Sequence, residues 1–445
     1  MFLLRASSLL AVTVLAAVLA GPASAATFGG GATISMVELA PENNSITIAG
    51  RDGTYLITDT AVAPTANPGC TATANPNTLS CAATDRTFGA FGTLNTDFVA
   101  VTATDLGVNW NHAQGVKLTF TCGSNASCQA TGSPGDDTLV GGPSADFFSG
   151  GLGNDAIQGM GGNDQLSGNA GNDTIDGGAG IDFLTCDAGN DTVSGGAGIF
   201  DQYACATAAS GMTITLDGVA NDGVAGETDN IAADIEAVIG SRFNDSITGA
   251  AGRQQIQGGE GNDTLVGGAG SDLLNGNEGN DILLGEGGDD QLDGEEGADV
   301  LSGGAGEDIA LYFSRTATLT ISLDGKANDG EAGELDSVQG NVEVVQSGDG
   351  DDSIRGNALA NELYGGGGND TIIGGAGGDL LIGGPGNDKL AGGTGRDEHL
   401  GMSGNDRIFS VDRARDINNC GSGTDVAIGD RTLDTSYATC EVGGR

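Results

Sequence analysis

The sequence is short of basic residues, of aromatic residues and of histidine. Its 445 residues include 16 Lys and Arg against 61 Asp and Glu, a formal net charge of −45, together with one Trp and two His. Such an acidic chain repels phosphate backbones and anionic lipid headgroups, which argues against nucleic acid and membrane surfaces as partners. Aromatic residues make up only 4% of the chain, so a large apolar core is not what holds it together. Cations are the partners that this charge favours.

Long hydrophobic runs are also lacking beyond the N-terminal segment. Residues 1–25 combine Arg5, an apolar run from Leu9 to Leu19 and the small residues Ala23, Ser24 and Ala25, which is the pattern of a cleaved secretory signal peptide. No later stretch is apolar for long enough to span a bilayer, so no membrane-spanning helix is expected. We therefore expect a secreted, extracellular protein without membrane insertion.

The eight cysteines suit an oxidising compartment because they are even in number and lie in neighbouring pairs. We predict four local disulfides in sequence order, although spacing alone does not establish which cysteines are bonded: Cys70/Cys81, Cys122/Cys128, Cys186/Cys205 and Cys420/Cys440.

A nonapeptide repeat dominates the sequence. Aspartate recurs at every ninth residue within each of three arrays, and we call this repeat position the slot. Two slots are vacant, in the sense that they hold Gln254 and Asn361 instead of aspartate. We call the following residues the slot aspartates: Asp137, Asp146, Asp155, Asp164, Asp173, Asp182 and Asp191 in the first array; Asp245, Asp263, Asp272, Asp281, Asp290, Asp299 and Asp308 in the second; Asp352, Asp370, Asp379, Asp388, Asp397 and Asp406 in the third.

An apolar residue lies two positions after almost every slot, the exceptions being Ala310 and His399. The commonest unit is Gly-Gly-x-Gly-Asn-Asp-x-apolar-x, whose glycines permit positive φ and whose last three residues form a minimal strand with one inward side chain. If two units make one coil, equivalent residues of successive coils stack at about 4.8 Å, and stacked carboxylates repel unless a cation lies between them. Calcium accepts six to eight oxygens, including backbone carbonyls, whereas magnesium requires a tighter octahedron. The alternative is that Asn-Asp after Gly only caps turns.

This unit resembles the repeats-in-toxin (RTX) nonapeptide of secreted actinobacterial proteins, over 132–200, 240–311 and 348–409. The resemblance implies an all-β fold, a right-handed parallel β-roll or solenoid loaded with Ca²⁺. It also implies that the slot aspartates are metal ligands and that glycine carbonyls complete the sites, about a dozen in number. Gln254 and Asn361 lack the charge, so their sites are expected to be weak or missing.

Two acidic inserts interrupt the arrays at 201–239 and 312–347. They are duplicates, in which Leu216-Asp217-Gly218 of the first corresponds to Leu323-Asp324-Gly325 of the second. Alternating residues predict a strand from Met212 and another from Leu319, each before an acidic loop. That loop is either a further metal site or a solvated turn. The inserts are expected to interrupt a continuous roll rather than to separate domains.

Both ends depart from the repeat. Residues 26–131 are rich in Thr, Val and Ile and are predicted to be a β-rich region with two local disulfides, either a cap or a degenerate lead-in to the solenoid. Residues 410–445 are predicted to be a C-terminal cap closed by a disulfide.

The sequence lacks the motifs of common enzymes. With only His112 and His399 it has no HExxH zinc site, and no serine lies in G-x-S-x-G. We expect a non-catalytic calcium-binding protein that folds on binding extracellular Ca²⁺ and has a structural, adhesive or surface role, with a cell-surface or matrix polymer as a candidate partner. The alternative is a calcium-dependent extracellular enzyme acting on polysaccharide, with its site in 26–131 or on a solenoid face.

Overall fold

The computed structural model of the chain describes residues 119–122, 127–132, 134–430, 433–435 and 440–441 in full; between 27 and 118, and at 436 and 442, it describes only the backbone of strands. The predicted signal peptide, residues 1–25, lies outside the described residues. The chain divides into two compact units, Met1–Gln202 and Tyr203–Arg445. Each is built from parallel strands stacked as a solenoid, and the described ranges contain strands and turns but no helix. Accordingly, no apolar helix long enough to cross a membrane occurs among them.

Each coil contributes one strand to each of two sheets, which we call face 1 and face 2. In the first unit, the face 1 strands are Asn109–Asn111, Gln129–Thr131, Phe147–Leu152, Gln165–Ala170 and Phe183–Thr185. The face 2 strands are Phe98–Ala103, Lys117–Cys122, Thr138–Val140, Ala156–Gln158, Thr174–Gly178 and Thr192–Gly196.

The second unit has the same two faces, but its face 2 is divided into two sheets. Its face 1 strands are Ala237–Ile239, Gln255–Glu260, Leu273–Glu278, Gln291–Asp293, Ile309–Leu311, Val344–Gln346, Glu362–Tyr364, Leu380–Pro385, Glu398–Ser403, Ile417–Asn419 and Thr435–Ser436. The first face 2 sheet holds Gly223–Val224, Met212–Thr215, Ser246–Thr248, Thr264–Ala269, Ile282–Gly287, Val300–Ala305 and Ser337–Val338. The second holds Gly330–Glu331, Leu319–Ser322, Ser353–Arg355, Thr371–Ala376, Lys389–Thr394, Arg407–Ser410, Asp425–Gly429 and Cys440–Val442.

The core is a single column of inward side chains behind each face. On face 2 of the first unit, Leu139 stacks on Ile157 and Ile157 on Ile175 in parallel register, and all three are at most 1% exposed. The predicted coil of two nonapeptide units is therefore confirmed. His399 lies in the face 1 column of the second unit, in register with Leu381, and is fully buried, so it is a packed residue.

The N-terminal region leads into the solenoid. Phe98–Ala103 pairs in parallel with Lys117–Cys122, which pairs in parallel with Thr138–Val140 of the first array. Residues before them form an antiparallel arm, with Ser45–Arg51 against Thr54–Asp59. Of the two alternatives for this region, the backbone of 98–131 favours a lead-in.

The remaining strands are Thr27–Phe28, Thr33–Glu38, Cys70–Ala72, Thr78–Ala82, Thr87–Gly92, Gln202–Ala204 and Asn230–Ile231.

The cysteine pairs follow the predicted order where the structure tests them. Disulfides join Cys122 to Cys128 and Cys420 to Cys440. Cys70 and Cys81 are paired residues of antiparallel strands, but their side chains lie outside the described residues. Cys186 and Cys205 are buried and belong to different units, so their pairing stays a prediction.

Both predicted insert strands are present, at Met212–Thr215 and Leu319–Ser322. Each is followed by a short antiparallel strand, Gly223–Val224 or Gly330–Glu331, which makes an arm beside face 2. Face 1 runs on across the second insert because Ile309–Leu311 pairs in parallel with Val344–Gln346. Face 1 is thus continuous through the second insert, while the first insert contains the boundary between the two units. The division of the chain into domains stays a prediction.

Candidate metal centre

The slot aspartates form rows along the two faces. Each precedes a strand, so neighbours within a row are one coil apart, as Asp137, Asp155 and Asp173 are on face 2 of the first unit. Every slot aspartate is buried, with the largest exposure, 4%, at Asp245. Carboxylates are rarely buried so completely unless they are paired or bind a metal.

One carboxylate oxygen of each aspartate within a row is used by the protein itself. The backbone N–H of Asp137 donates to Oδ1 of Asp155 at 2.7 Å, and the N–H of Asp155 donates to Oδ1 of Asp173 at 2.7 Å. The same bond recurs in the second unit, for example from Asp263 to Asp281 at 2.7 Å. Each carboxylate thus ties its coil to the preceding one.

The other oxygen is buried without a hydrogen-bond partner in most slots. Such an atom requires an explanation, because a buried anionic oxygen without a donor is costly. The slots with this orphaned Oδ2 are Asp155, Asp164, Asp173, Asp182, Asp263, Asp272, Asp281, Asp290, Asp299, Asp308, Asp370, Asp379, Asp388, Asp397 and Asp406.

A glycine five positions before each of these aspartates makes the space around the orphaned oxygen. A Cβ placed on Gly258 would lie 2.2 Å from Oδ2 of Asp263 and 2.9 Å from the carbonyl oxygen of Gly276. At Gly276 the corresponding distances are 2.3 Å to Oδ2 of Asp281 and 2.8 Å to the carbonyl oxygen of Gly294. A carboxylate oxygen and a carbonyl oxygen of the next coil therefore converge on one glycine. All-oxygen donor sets of this kind suit Ca²⁺.

Burial also raises the pKa of these carboxyl groups. Desolvation brings the pKa of Asp155, Asp164, Asp263 and Asp370 to about 7, against an ordinary value of 3.8, and neighbouring carboxylates add to the rise. Desolvation raises the pKa of Asp299 to about 8, with a further contribution from Asp336. The protein alone thus stabilises these anions poorly, which is the electrostatic condition for binding a cation.

The ends of the rows differ from their interiors. Oδ2 accepts a bond from the N–H of Gly142 at Asp146 (2.7 Å), from the N–H of Ser241 at Asp245 (2.6 Å) and from the hydroxyl of Ser347 at Asp352. These terminal oxygens are already used within the protein.

The two vacant slots keep the fold without the charge. Gln254 and Asn361 are 2% and 1% exposed, and their N–H groups still donate to Oδ1 of Asp272 at 2.7 Å and Asp379 at 2.9 Å. The Oδ1 of Asn361 itself accepts the N–H of Asn357 at 2.9 Å. Neither slot offers an anionic oxygen, in line with the expectation of weak or missing sites.

The rows extend beyond the predicted arrays, a feature that counting in nines did not detect. The N–H of Asp397 donates to Oδ1 of Asp416 at 2.9 Å and that of Asp406 to Oδ1 of Asp425 at 2.9 Å, and both acceptors are buried with an orphaned Oδ2. Asp201 continues a first-unit row in the same way, accepting from Asp182 at 2.9 Å. Each of these three bonds spans one residue more than the regular coil. Allowing one extra residue per coil would have found all three.

The acidic inserts place their aspartates inside the fold. Both oxygens of Asp222 accept backbone N–H groups, from Thr215 at 2.6 Å and Ile231 at 2.9 Å. Both oxygens of Asp329 do the same, from Ser322 at 2.6 Å and Val338 at 2.9 Å. Each residue is 1% exposed, so a solvated turn is wrong for them. Each aspartate therefore joins the first strand of its arm to the strand that follows the acidic loop, Asn230–Ile231 or Ser337–Val338. Metal binding by the inserts stays a prediction.

The inserts also close the rows. The N–H of Met212 donates to Oδ1 of Asp245 at 2.8 Å, and the N–H of Leu319 donates to Oδ1 of Asp352 at 2.8 Å. In the second insert Asp336 accepts the N–H of Asp299 at 3.0 Å. Each insert therefore supplies the donor that starts the array after it.

One further group of metal-ligating residue types is excluded. Cys122, Cys128 and Asp146 lie together, but the two cysteines are joined in a disulfide and have no thiolate to offer. The metal candidates described here are therefore the aspartate rows.

These observations define a parallel β-solenoid whose turns carry rows of buried carboxylates suited to calcium. The model of the RTX calcium-binding nonapeptide repeat (4 copies) matches the chain at 131–166, 149–184, 167–199, 239–274, 250–283, 275–310, 346–381, 364–398 and 382–410. The chain is an RTX calcium-binding repeat protein over those stretches. Among curated proteins, none matches the chain.

Proposed function

We propose that this repeat protein is secreted and completes its folding by binding extracellular Ca²⁺ through the slot aspartates, with Asp416 and Asp425 as additional ligands. The supporting observation is the orphaned Oδ2 that recurs from coil to coil beside a glycine carbonyl oxygen. The bound ion would supply positive charge at these oxygens, while the protein supplies the oxygen ligands and excludes water.

The energetic argument follows from burial. Without a cation, folding transfers a row of carboxylates out of water and leaves one oxygen of each without a donor, which opposes formation of the coils. Because binding requires the stacked coils, the free energy of metal binding becomes free energy of folding. Extracellular calcium would thus favour folding after export.

The proposal extends to domain organisation and role. Residues 26–131 act as a lead-in to the solenoid, and residues 410–445 close its last coil. The three arrays together bind about a dozen calcium ions, and the two inserts separate the arrays. We assign the molecule a non-catalytic structural or adhesive role, for which the repeated coil and the lack of enzyme motifs are the support.

Calcium titration tests this function. The chain lacking the segment 1–25 is dialysed against chelator and titrated with CaCl₂ or MgCl₂ while far-ultraviolet circular dichroism is recorded. We expect a cooperative gain of β signal with Ca²⁺ and a smaller gain with Mg²⁺ at equal concentration. An unchanged spectrum on adding Ca²⁺ would disprove calcium-coupled folding.

A further inference from the structure

The outer side of face 1 in the first unit carries two exposed aromatic rings in register. Phe147 is 43% exposed and Phe183 is 39% exposed, although both lie in strands of a chain with few aromatic residues. Phe147 pairs with Gln165, and Gln165 pairs with Phe183, so the rings lie two strands apart with an amide between them. Two strand spacings separate them by about 10 Å. Exposed apolar groups gathered in this way mark binding surfaces.

A shallow cavity of about 220 Å³ runs across these strands. Besides Phe147, Gln165 and Phe183, a second outward column of hydroxyl residues lines it, in which Ser149 pairs with Ser167 and Ser167 with Thr185. Because strand residues alternate in direction, both columns face the same side of the sheet. We call this surface the Phe147–Phe183 groove.

The hydroxyl column offers both hydrogen-bond functions. Oγ of Ser149 accepts from Nδ2 of Asn169 at 2.9 Å, which leaves its own proton to donate. Oγ of Ser167 donates to Oδ2 of Asp187 at 2.8 Å, which leaves lone pairs to accept. A ligand hydroxyl both donates and accepts, so these neighbouring groups are complementary to a polyhydroxylated molecule.

The charge of the groove indicates which polyhydroxylated molecules can bind there. Every residue lining the groove is uncharged, in a protein of net charge −45. At the corresponding outward position on face 1 of the second unit, two strands carry a carboxylate, Glu362 and Glu398. The other strands carry uncharged residues there, such as Gln255 and Leu273. An anionic polymer would be repelled by the molecule, and a cationic one would bind preferentially at the acidic residues elsewhere. A neutral ligand fits the uncharged groove.

We infer that the Phe147–Phe183 groove binds a neutral polysaccharide chain. The C–H faces of sugar rings pack on the two phenylalanine rings, and sugar hydroxyls bond Gln165, Ser149 and Ser167. The polysaccharide lies across the strands, because the two phenylalanine rings follow one another along the axis of the solenoid. The groove is lined by other residues than the metal row of face 1. The aspartates of that row are buried and lie one residue before Phe147, Gln165 and Phe183: Asp146, Asp164 and Asp182.

Affinity electrophoresis of the calcium-loaded full chain tests the inference. Native gels contain one of the dissolved neutral polysaccharides hydroxyethylcellulose, xyloglucan, galactomannan or laminarin. A further gel contains the anionic polysaccharide alginate. We expect at least one neutral polysaccharide to retard the protein and alginate to leave its mobility unchanged. Retardation by alginate alone, or by none of these polymers, would overturn the inference.

The variant F147T/F183T identifies the surface. Threonine occupies the same repeat position at Thr138, Thr174 and Thr192, so the strands should form normally. Loss of two ring contacts should raise the dissociation constant about tenfold. The matched control is I282T, which removes another exposed apolar side chain (40% exposed) from the same repeat position in the second unit and should bind as the parent does.

Two results would refute the assignment even with intact folding, verified by an unchanged calcium-dependent circular dichroism signal. One is equal retardation of F147T/F183T and the parent chain. The other is a concentration-dependent dimer, seen by sedimentation, that disappears in F147T/F183T while no polysaccharide retards the parent; this would assign the groove to contact between copies of the chain.

Discussion

The two oxygens of a slot aspartate have different tasks. In Asp281, Oδ1 accepts the N–H of Asp263 at 2.7 Å, while Oδ2 is buried without a donor. An asparagine there retains an acceptor for the inter-coil bond but removes the charge. Fold and metal affinity can therefore be separated at a single residue.

We predict that D281N weakens calcium binding by the second array about tenfold, because ligand charge tunes calcium affinity. The same change should make the metal-free chain easier to fold, since a buried charge is removed. D245N is the matched control, because Oδ2 of Asp245 already bonds Ser241 and should contribute less. Calorimetric calcium titration of both variants measures the difference, and equal losses would contradict the distinction between row interiors and ends.

At the scale of the element, the coil depends on the glycine five positions before each slot aspartate whose Oδ2 is orphaned. The space beside Gly258 is filled by Oδ2 of Asp263 and the carbonyl oxygen of Gly276. Gly252, in the same array, has only the side-chain nitrogen of Gln254 at 4.0 Å from the place of a Cβ. Two glycines of one array thus differ sharply in what an added methyl group would meet.

We predict that G258A costs at least about 2 kcal/mol of unfolding free energy in calcium and also lowers calcium affinity, because the methyl group overlaps both oxygens. G252A should change the unfolding free energy by less than about 0.5 kcal/mol. Urea unfolding at fixed calcium concentration compares them. Similar midpoints for the two variants would show that the space is not required.

The coil could be predicted because a single nine-residue period fixes three things together: the position of each strand, the residue that points inward and the position of the aspartate. Thus Leu139, Ile157 and Asp155 lie where the sequence placed them. The continuation at Asp416 and Asp425 was missed because one extra residue in a coil breaks the count without breaking the hydrogen bond. The period also gives no information on outward side chains, which differ from coil to coil, as Phe147, Gln165 and Phe183 do.

The inserts were predicted only in part, for a physical reason. Local alternation identified the strands that start at Met212 and Leu319. Their task, donating N–H groups to Asp245 and Asp352, depends on contacts between residues that are distant in sequence. Such long-range bonds have no periodic signal, so the duplicate acids alone left their role open.

At the scale of the whole molecule, the net charge of −45 belongs in large part to carboxylates that are buried on folding. Burial raises the pKa of many of them above 3.8, to about 7 at Asp155, Asp164, Asp263 and Asp370. In the unfolded chain they ionise near 4, so between about pH 4 and 7 the folded, metal-free chain holds more protons than the unfolded one. Its stability must fall as the pH rises through that window.

We predict that the calcium-free chain gains β structure as the pH is lowered from 8 to 5, whereas calcium affinity falls over the same range because protons compete for the ligands. Circular dichroism at each pH in calcium-free buffer, and calcium titrations at pH 8 and 6, measure the two trends. A calcium-free chain that loses β structure on acidification would contradict the burial of ionisable carboxylates.

The bond between successive aspartates also gives each row a direction. Every amide points to the carboxylate of the following coil, so a row resembles a polymer with two unlike ends: one needs donors, which Met212 and Leu319 provide, and the other needs acceptors. Removing the last coil exposes another amide end of the same kind. A row shortened from its C-terminal end therefore leaves an amide without its acceptor, whereas a row shortened from the other end leaves a carboxylate oxygen without the backbone donor that Met212 or Leu319 provides.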